Sequence, residues 1–256
     1  MTILLTGGTG TLGRRLLPLL RRTGVPVRVL SRRRHEDAEH VLGDLTSGAG
    51  VDAAVAGTTT IVHCAGTSKG DDEKARVLVR AARLSGRPHL VFISVVGADR
   101  VPVRSRADRA MFGYFAAKRA AEEVVAGSGL PWTTLRATQF HDLTLMAVRQ
   151  LARLPVVPVP AGVRFQPVDA GEVAARLAEL ALAGPAGLVP DLAGPRAYPM
   201  GELVRGYLRA TGRRRPVIEV PAPGAAYRAI RAGANLAPDR AVGRRSWEQF
   251  LAETLR

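Results

Sequence analysis

The chain has 256 residues, 46% apolar and 23% charged, and a formal net charge of +15. That balance excludes a disordered polypeptide and suits one large α/β domain, or one domain with a small lobe. Cys64 is the single cysteine, which excludes an intramolecular disulfide and points to a cytoplasmic protein.

The opening MTILLTGGTG enters a glycine turn at once, so no signal peptide is expected. No uncharged apolar run reaches the roughly 18 residues a membrane span needs, and no membrane partner is expected. Nearly all the positive charge is arginine; the only lysines are Lys69, Lys74 and Lys118. The arginine clusters at 32–34, 104–109 and 213–215 lie far apart and lack interleaved aromatics, so no nucleic-acid partner is expected either.

In chain order, short apolar runs alternate with helical patterns, the mark of βαβ units and a parallel sheet. Ile3 to Gly7 reads as the first strand. A helix follows from about Thr11 to Arg22, with a bend expected at Pro18 and a stop at Gly24. Val25 to Ser31 is the second strand, a short strand ends near Asp44, and Thr59 to Gly66 is the fourth. A helix over Glu73 to Leu84 leads to a fifth strand, His89 to Gly97. A helix carrying Tyr114 and Lys118 then precedes the strand Trp132 to Thr138. Beyond Thr138 the rhythm loosens. Leu154 to Pro160 is too proline-rich for a central strand. Asp169 and Glu172 form a helix-capping pattern, and two further helices are expected over Met200 to Thr211 and Ser246 to Leu255. The fold class is therefore α/β, a Rossmann-type doubly wound parallel sheet with a small C-terminal substrate lobe. Residues 1–138, joined again by 166–192, form the nucleotide domain; 139–165 and 193–256 form the lobe.

TGGTGTLG lies between a strand and a helix, where a dinucleotide fingerprint belongs. Gly7 permits the tight turn, Gly10 lets the backbone approach a pyrophosphate, and Gly13 lets the helix pack closely. Thr9, Thr11 and Leu12 complete the cradle, whose N–H groups face the diphosphate. At the end of the second strand an NAD enzyme carries a carboxylate for the ribose 2′-hydroxyl. Here Ser31, Arg32, Arg33 and Arg34 follow one another, so no acid repels a 2′-phosphate and guanidinium groups can clamp it. NADP(H) is expected over NAD(H).

Tyr114 and Lys118 stand four residues apart and share one helix face. Lysine is rare in this arginine-rich chain, and a compact ammonium suits close approach to ribose hydroxyls and a phenol. A phenol is a weak acid, with a pKa near ~10 in water, and a neighbouring ammonium stabilises its anion.

With TGGTGTLG, Asp44-Leu45, His63-Cys64-Ala65-Gly66, Ser94 and Tyr114/Lys118 in this order, the chain resembles the short-chain dehydrogenase/reductase superfamily. SGLPWTTLRATQFHD, FQPVDAGEVAARL and GPRAYPMGEL are similar to its atypical, NmrA-like NAD(P)H-binding branch. The resemblance covers nearly the whole chain and weakens after Pro221. It implies that Asp44 and Leu45 contact the adenine, that Ala65 and Gly66 line the cofactor, and that Lys118 holds its ribose. It also implies that Ser94 faces the reacting carbonyl and that Tyr114 donates the proton. Gln139, Phe140 and His141 follow the sixth strand as substrate-wall candidates. His63 and Cys64 read as packing residues, and no cluster has metal-ligand spacing, so no metal is expected.

The activity these residues point to is NADPH-dependent reduction of a carbonyl or quinone-like small molecule by a monomer or homodimer. Two alternatives stay open: a non-catalytic NADP(H)-binding redox sensor, and a redox-neutral epimerase or cyclase. One departure from the family stands out. VRSRADRAMFG, before Tyr114, reads as a long loop that would shift the tyrosine.

Overall fold

Ile3–Thr6 is buried at every position and forms the strand β1 on which the large sheet is built. The computed structural model describes residues 1–37, 39–66 and 70–255, with Ala107 by its backbone alone. After β1 come α1 (Gly13–Arg21), β2 (Val27–Ser31), β3 (His40–Leu42), α2 (Val51–Val55) and β4 (Thr60–His63). Then follow α3 (Asp71–Leu84), β5 (His89–Val95), α4 (Arg106–Ala126) and β6 (Trp132–Ala137). The remaining elements are α5 (His141–Leu151), β7 (Val157–Pro160), β8 (Arg164–Phe165), α6 (Ala170–Leu182), β9 (Gly187–Leu188) and β10 (Tyr198–Pro199). Last come α7 (Met200–Ala210), β11 (Val217–Val220), α8 (Ala225–Arg231) and α9 (Trp247–Thr254).

The chain divides into two compact units. The first comprises Met1–Ser94, Ala116–Arg136 and Gly171–Pro190; the second comprises Val95–Phe115, Ala137–Ala170 and Asp191–Arg256.

The first unit carries the seven-stranded sheet, in the order β3-β2-β1-β4-β5-β6-β9. Its registers are parallel, with Ile3 opposite both Val27 and Thr60. Parallel neighbours need a crossover, and the helices between the strands supply it. All seven residues of β5 are buried, as expected of a strand covered on both faces. Leu4, Ile61, Leu90 and Phe92 of the sheet pack with Leu78 and Ala82 of α3 and Ala121 and Val125 of α4. The strand order reverses between β1 and β4, and the crevice at such a switch point is where this fold takes ligands. α1 continues through Pro18, which accepts the N–H of Arg22 at its carbonyl.

The second unit holds two small sheets, antiparallel β8–β10 and parallel β7–β11. The proline-rich β7 lies outside the large sheet, where missing N–H donors cost least. Its Val157 and Val159 are fully buried with Tyr207, Trp247 and Phe250. α9 opens with a reciprocal cap between Ser246 and Gln249. α5 and α8 were not expected from the sequence.

The segment read as a long loop before Tyr114 is a helix from Arg106 onward. Ser105 Oγ accepts the Asp108 N–H at 2.9 Å, and the Asp108 carboxylate accepts the Ser105 N–H at 3.1 Å. This cap satisfies two donors that a helix start leaves open, so α4 begins two turns before Tyr114.

Candidate active site

The glycine turn after β1 is sterically fixed. Gly7 has φ of 72°, and a Cβ on it would stand 2.7 Å from the Ala65 nitrogen and from the Cys64 carbonyl carbon. A Cβ on Gly13 would stand 2.2 Å from the Gly7 oxygen. These two glycines let the turn, the end of β4 and the start of α1 approach one another. Gly10 is held by its own N–H to the Gly7 oxygen at 3.0 Å. Thr9 and Gly10 are exposed and Thr11 half-buried, so their backbone is open to a ligand. Leu12 is 5% exposed. Its side chain belongs to the core, and only its backbone can serve the cradle. α1 carries no acid in its first turn, which leaves the positive end of its dipole uncancelled.

At the end of β2, Ser31 Oγ accepts the Arg33 N–H at 3.1 Å and meets His35 Nε2 at 3.1 Å. Arg32, Arg33 and Arg34 are exposed. Asp44 Oδ1 accepts the Thr46 N–H at 2.9 Å. That bond, and then the nearby Arg32 charge, hold its carboxyl below the usual carboxylate range. Leu45 is buried, in the core cluster that also holds Leu30 of β2 and Leu78 of α3. His35, Asp37 and His40 bring ligand-capable atoms within 4.8 Å of one another, a grouping the sequence did not suggest. Asp37 Oδ1 and His40 Nδ1 already bond at 2.6 Å, and the two imidazoles stack at 4.0 Å.

The ends of β4 and β5 carry the charged centre. Lys118 is 3% exposed. Its Nζ donates to the Ile93 carbonyl at 3.2 Å, lies 3.2 Å from Asp71 Oδ2, and sits 4.9 Å over the Phe92 ring. A Cβ on Gly66 would stand 3.0 Å from the same Nζ, so glycine leaves the ammonium its room. Asp71 is itself 1% exposed, and Lys74 Nζ lies 3.8 Å from it. The sequence reading missed Asp71. An acid at a helix start ordinarily answers the helix dipole, and nothing local marks it as a partner for Lys118. Ser94, next to Ile93, buries a hydroxyl with no hydrogen-bond partner among the described residues. Tyr114 stands one turn before Lys118 on α4, 37% exposed, its ring edge-on to Phe115 at 6.2 Å.

Beneath this centre, His63 Nδ1 and Thr6 Oγ1 lie 2.7 Å apart across paired positions of β1 and β4. Burial, and then the Lys118 charge, hold the His63 pKa down to about 3. Burial also pushes the Cys64 thiol up to about 12, which removes it as a nucleophile at neutral pH. Because the folded His63 value lies below the unfolded ~6.5, the unfolded chain binds more protons in acid. The stabilisation is complete above about pH 6.5 and is lost as pH falls towards about 3. His63→Gln should therefore remove about 2 kcal/mol of the stability difference between about pH 7 and about pH 5. Urea unfolding at both pH values reads it; an unchanged difference contradicts the burial argument.

The substrate-wall candidates behave differently from one another within the second unit. Gln139 buries both ends of its amide with no hydrogen-bond partner among the described residues. Phe140 is half-buried and opens α5. His141 is fully buried, stacked on Phe250 at 4.9 Å, with Nε2 bonded to the Arg245 carbonyl at 3.0 Å. It is a packing residue of that unit, and burial lowers its pKa.

A strand–glycine turn–helix at the switch point of a parallel sheet is the dinucleotide-binding class of Rossmann domain. Residues 7–179 match the family described as NAD(P)H-binding. A ceramide reductase of Caulobacter vibrioides is 30% identical over 245 residues, covering 87% of this chain and 74% of the relative. A (4-alkanoyl-5-oxo-2,5-dihydrofuran-3-yl)methyl phosphate reductase of Streptomyces griseus is 30% identical over 220 residues, covering 82% and 74%. The NADPH complex of an Escherichia coli NADPH-dependent quinone oxidoreductase superposes with a TM-score of 0.82 at 18% identity, covering 99% of this chain and all of that one. The chain belongs to the NAD(P)H-binding family and is an NAD(P)H-dependent oxidoreductase. Among the described residues, no helix is long and apolar enough to cross a membrane.

Proposed function

We propose that the protein is an NADPH-dependent reductase of a carbonyl or quinone-like small molecule, with Tyr114 as proton donor. The observation that carries this reading is the Lys118 ammonium, buried at the ends of β4 and β5 against Gly66 and the Ile93 carbonyl. A Cβ on Gly66 would also stand 3.1 Å from Asp71 Oδ2, so the glycine keeps room for the whole ion pair at this ledge. The residues fit a dinucleotide. Gly7 and Gly13 hold open a turn that any Cβ would close, and the first turn of α1 offers N–H groups without an opposing acid.

When bound, the reduced nicotinamide supplies a hydride. The protein's own groups handle the oxygen on which charge then develops. Tyr114 gives it a proton, and the unpartnered Ser94 hydroxyl donates a hydrogen bond to it. Lys118, held by Asp71 and Ile93, binds ribose hydroxyls and steadies the phenolate that remains. Gly66 and Ala65 line the same ledge. The two relatives reported above are both named as reductases, which supports a reduction of an organic substrate here.

Arg32 and Arg33, at a strand end without a carboxylate, favour the 2′-phosphate of NADPH. NADPH oxidation should be measured with a panel of quinones, ketones and enones. At least one should be turned over, with kcat/KM for NADPH exceeding that for NADH by roughly tenfold or more. Arg32→Ala/Arg33→Ala should raise KM for NADPH by roughly ten- to a hundredfold and leave KM for NADH nearly unchanged. Equal losses with both cofactors, or no turnover across the panel, would contradict the assignment.

A further inference from the structure

Five arginines of the second unit, Arg205, Arg209, Arg213, Arg214 and Arg215, line one open cavity of about 430 Å³ at the end of α7. All five are exposed, and none makes an ion pair or a side-chain hydrogen bond among the described residues. Elsewhere the arginines are often matched, as Arg196 is by Glu202 and Arg176 by Glu179. Like charges gathered without an acid repel one another, and that cost calls for an anionic partner.

The neighbouring strands add a second, independent feature. β7 and β11 are parallel, with Ile218 opposite Pro158 and Val220 opposite Pro160. Residues paired in this way share a face, and every second residue returns to it. Val157 and Val159 point into the core. The other face therefore carries Pro158, Pro160, Ile218 and Val220, with Val156 and Pro216 continuing its alternation at the strand starts. Val156 is 42% exposed, Ile218 48% and Val220 43%. This outward sheet face is apolar throughout, and Pro216 also lines the arginine cavity. Glu219, opposite Val159 in the register, alternates with Ile218 and Val220 and is itself exposed.

We propose that this face docks the protein on the surface of an anionic phospholipid bilayer. Aliphatic side chains enter the headgroup boundary while the arginines bind lipid phosphates. The composition selects this occupant. Short aliphatics and prolines give no aromatic platform for nucleic-acid bases. They also lack the Trp and Tyr anchors that dominate protein interfaces. A second copy would bring five equal charges against these five. A single small phosphate would need oriented, buried donors, whereas these guanidinium groups are all exposed.

Flotation with vesicles tests the proposal. The whole protein should bind vesicles of phosphatidylcholine with phosphatidylglycerol, release as salt rises, and ignore phosphatidylcholine alone. Arg213→Glu/Arg214→Glu/Arg215→Glu should weaken binding on the order of a hundredfold. Ile218→Ser/Val220→Ser should weaken it too, but leave a salt-sensitive remainder. A control, Arg22→Glu/Arg80→Glu/Arg149→Glu, makes the same change in net charge on other surfaces and should bind like the parent. Far-UV circular dichroism and NADPH binding verify folding of each variant; if the triple variant fails them, Arg209→Ala/Arg214→Ala replaces it and should bind several-fold more weakly. The proposal is overturned if the parent ignores anionic vesicles, or if the control triple loses as much as the cavity triple. It is equally overturned if single-stranded DNA or inorganic polyphosphate binds tighter than the vesicles, with the serine variant unaffected.

Discussion

Tyr114→Phe lowers kcat for carbonyl or quinone reduction by about 10²- to 10⁴-fold and changes the Kd for NADPH by less than about twofold; this is the result expected if the phenol is the proton donor. The substitution removes one oxygen and nothing else. The ring keeps its edge-on contact with Phe115 and its partly exposed place on α4. Lys118 keeps Asp71 and the Ile93 carbonyl, so the part of the site proposed to bind ribose is undisturbed. Substituting Lys118 itself is a less discriminating experiment. It takes from Asp71, 1% exposed, its 3.2 Å partner, so lost stability and lost chemistry would arrive together. Lys118→Arg is no milder, because a planar guanidinium does not fit between Gly66 and Ile93. Steady-state rates at saturating NADPH, paired with a fluorescence titration of the cofactor, separate the two halves of the prediction. A kcat within tenfold of the parent would remove Tyr114 from the mechanism.

The parts of this site that were legible in the sequence are those fixed by sterics and period. Gly7 and Gly13 cannot be replaced without a collision, so their spacing carried the turn and the helix start directly. The buried run of β5 and the alternation of strands and helices likewise carried the sheet. What the sequence could not convey was which way a side chain points. Leu12 and Leu45 stand where a cofactor contact is expected, yet both turn into the core. Asp71 meets Lys118 only because α3 and α4 pack on the same sheet, a tertiary fact with no local sign. The start of α4 was misread for a different reason. Its arginines look like a solvated linker, and the Ser105–Asp108 cap that commits them to a helix is a pattern of two residues. α8 has only seven residues, and a helix of that length owes its stability to packing more than to propensity.

The second large effect is on stability and concerns the register of α4. Arg136 on β6 and Glu122 on α4 are each 6% exposed. They bond through Nε to Oε1 at 2.8 Å and Nη2 to Oε2 at 2.7 Å. The fork matches the carboxylate, so the pair ties the helix to the sheet through two hydrogen bonds. Glu122 stands one turn after Lys118, and the same helix setting therefore presents the ammonium at the ends of β4 and β5. Glu122→Ala should cost about 3–5 kcal/mol in urea unfolding, because it strips a buried guanidinium of its carboxylate bonds. Glu122→Leu/Arg136→Met should come within about 1 kcal/mol of the parent, since both desolvation penalties disappear with the charges. The two variants together separate stability from positioning. If the ion pair also sets the helix rotation, the double variant will be stable and yet bind NADPH more weakly. If packing of Ala121 and Val125 alone sets it, NADPH affinity will match the parent. An equal loss of stability in the single and the double variant would sink the ion-pair account altogether, leaving lost side-chain packing as the cause.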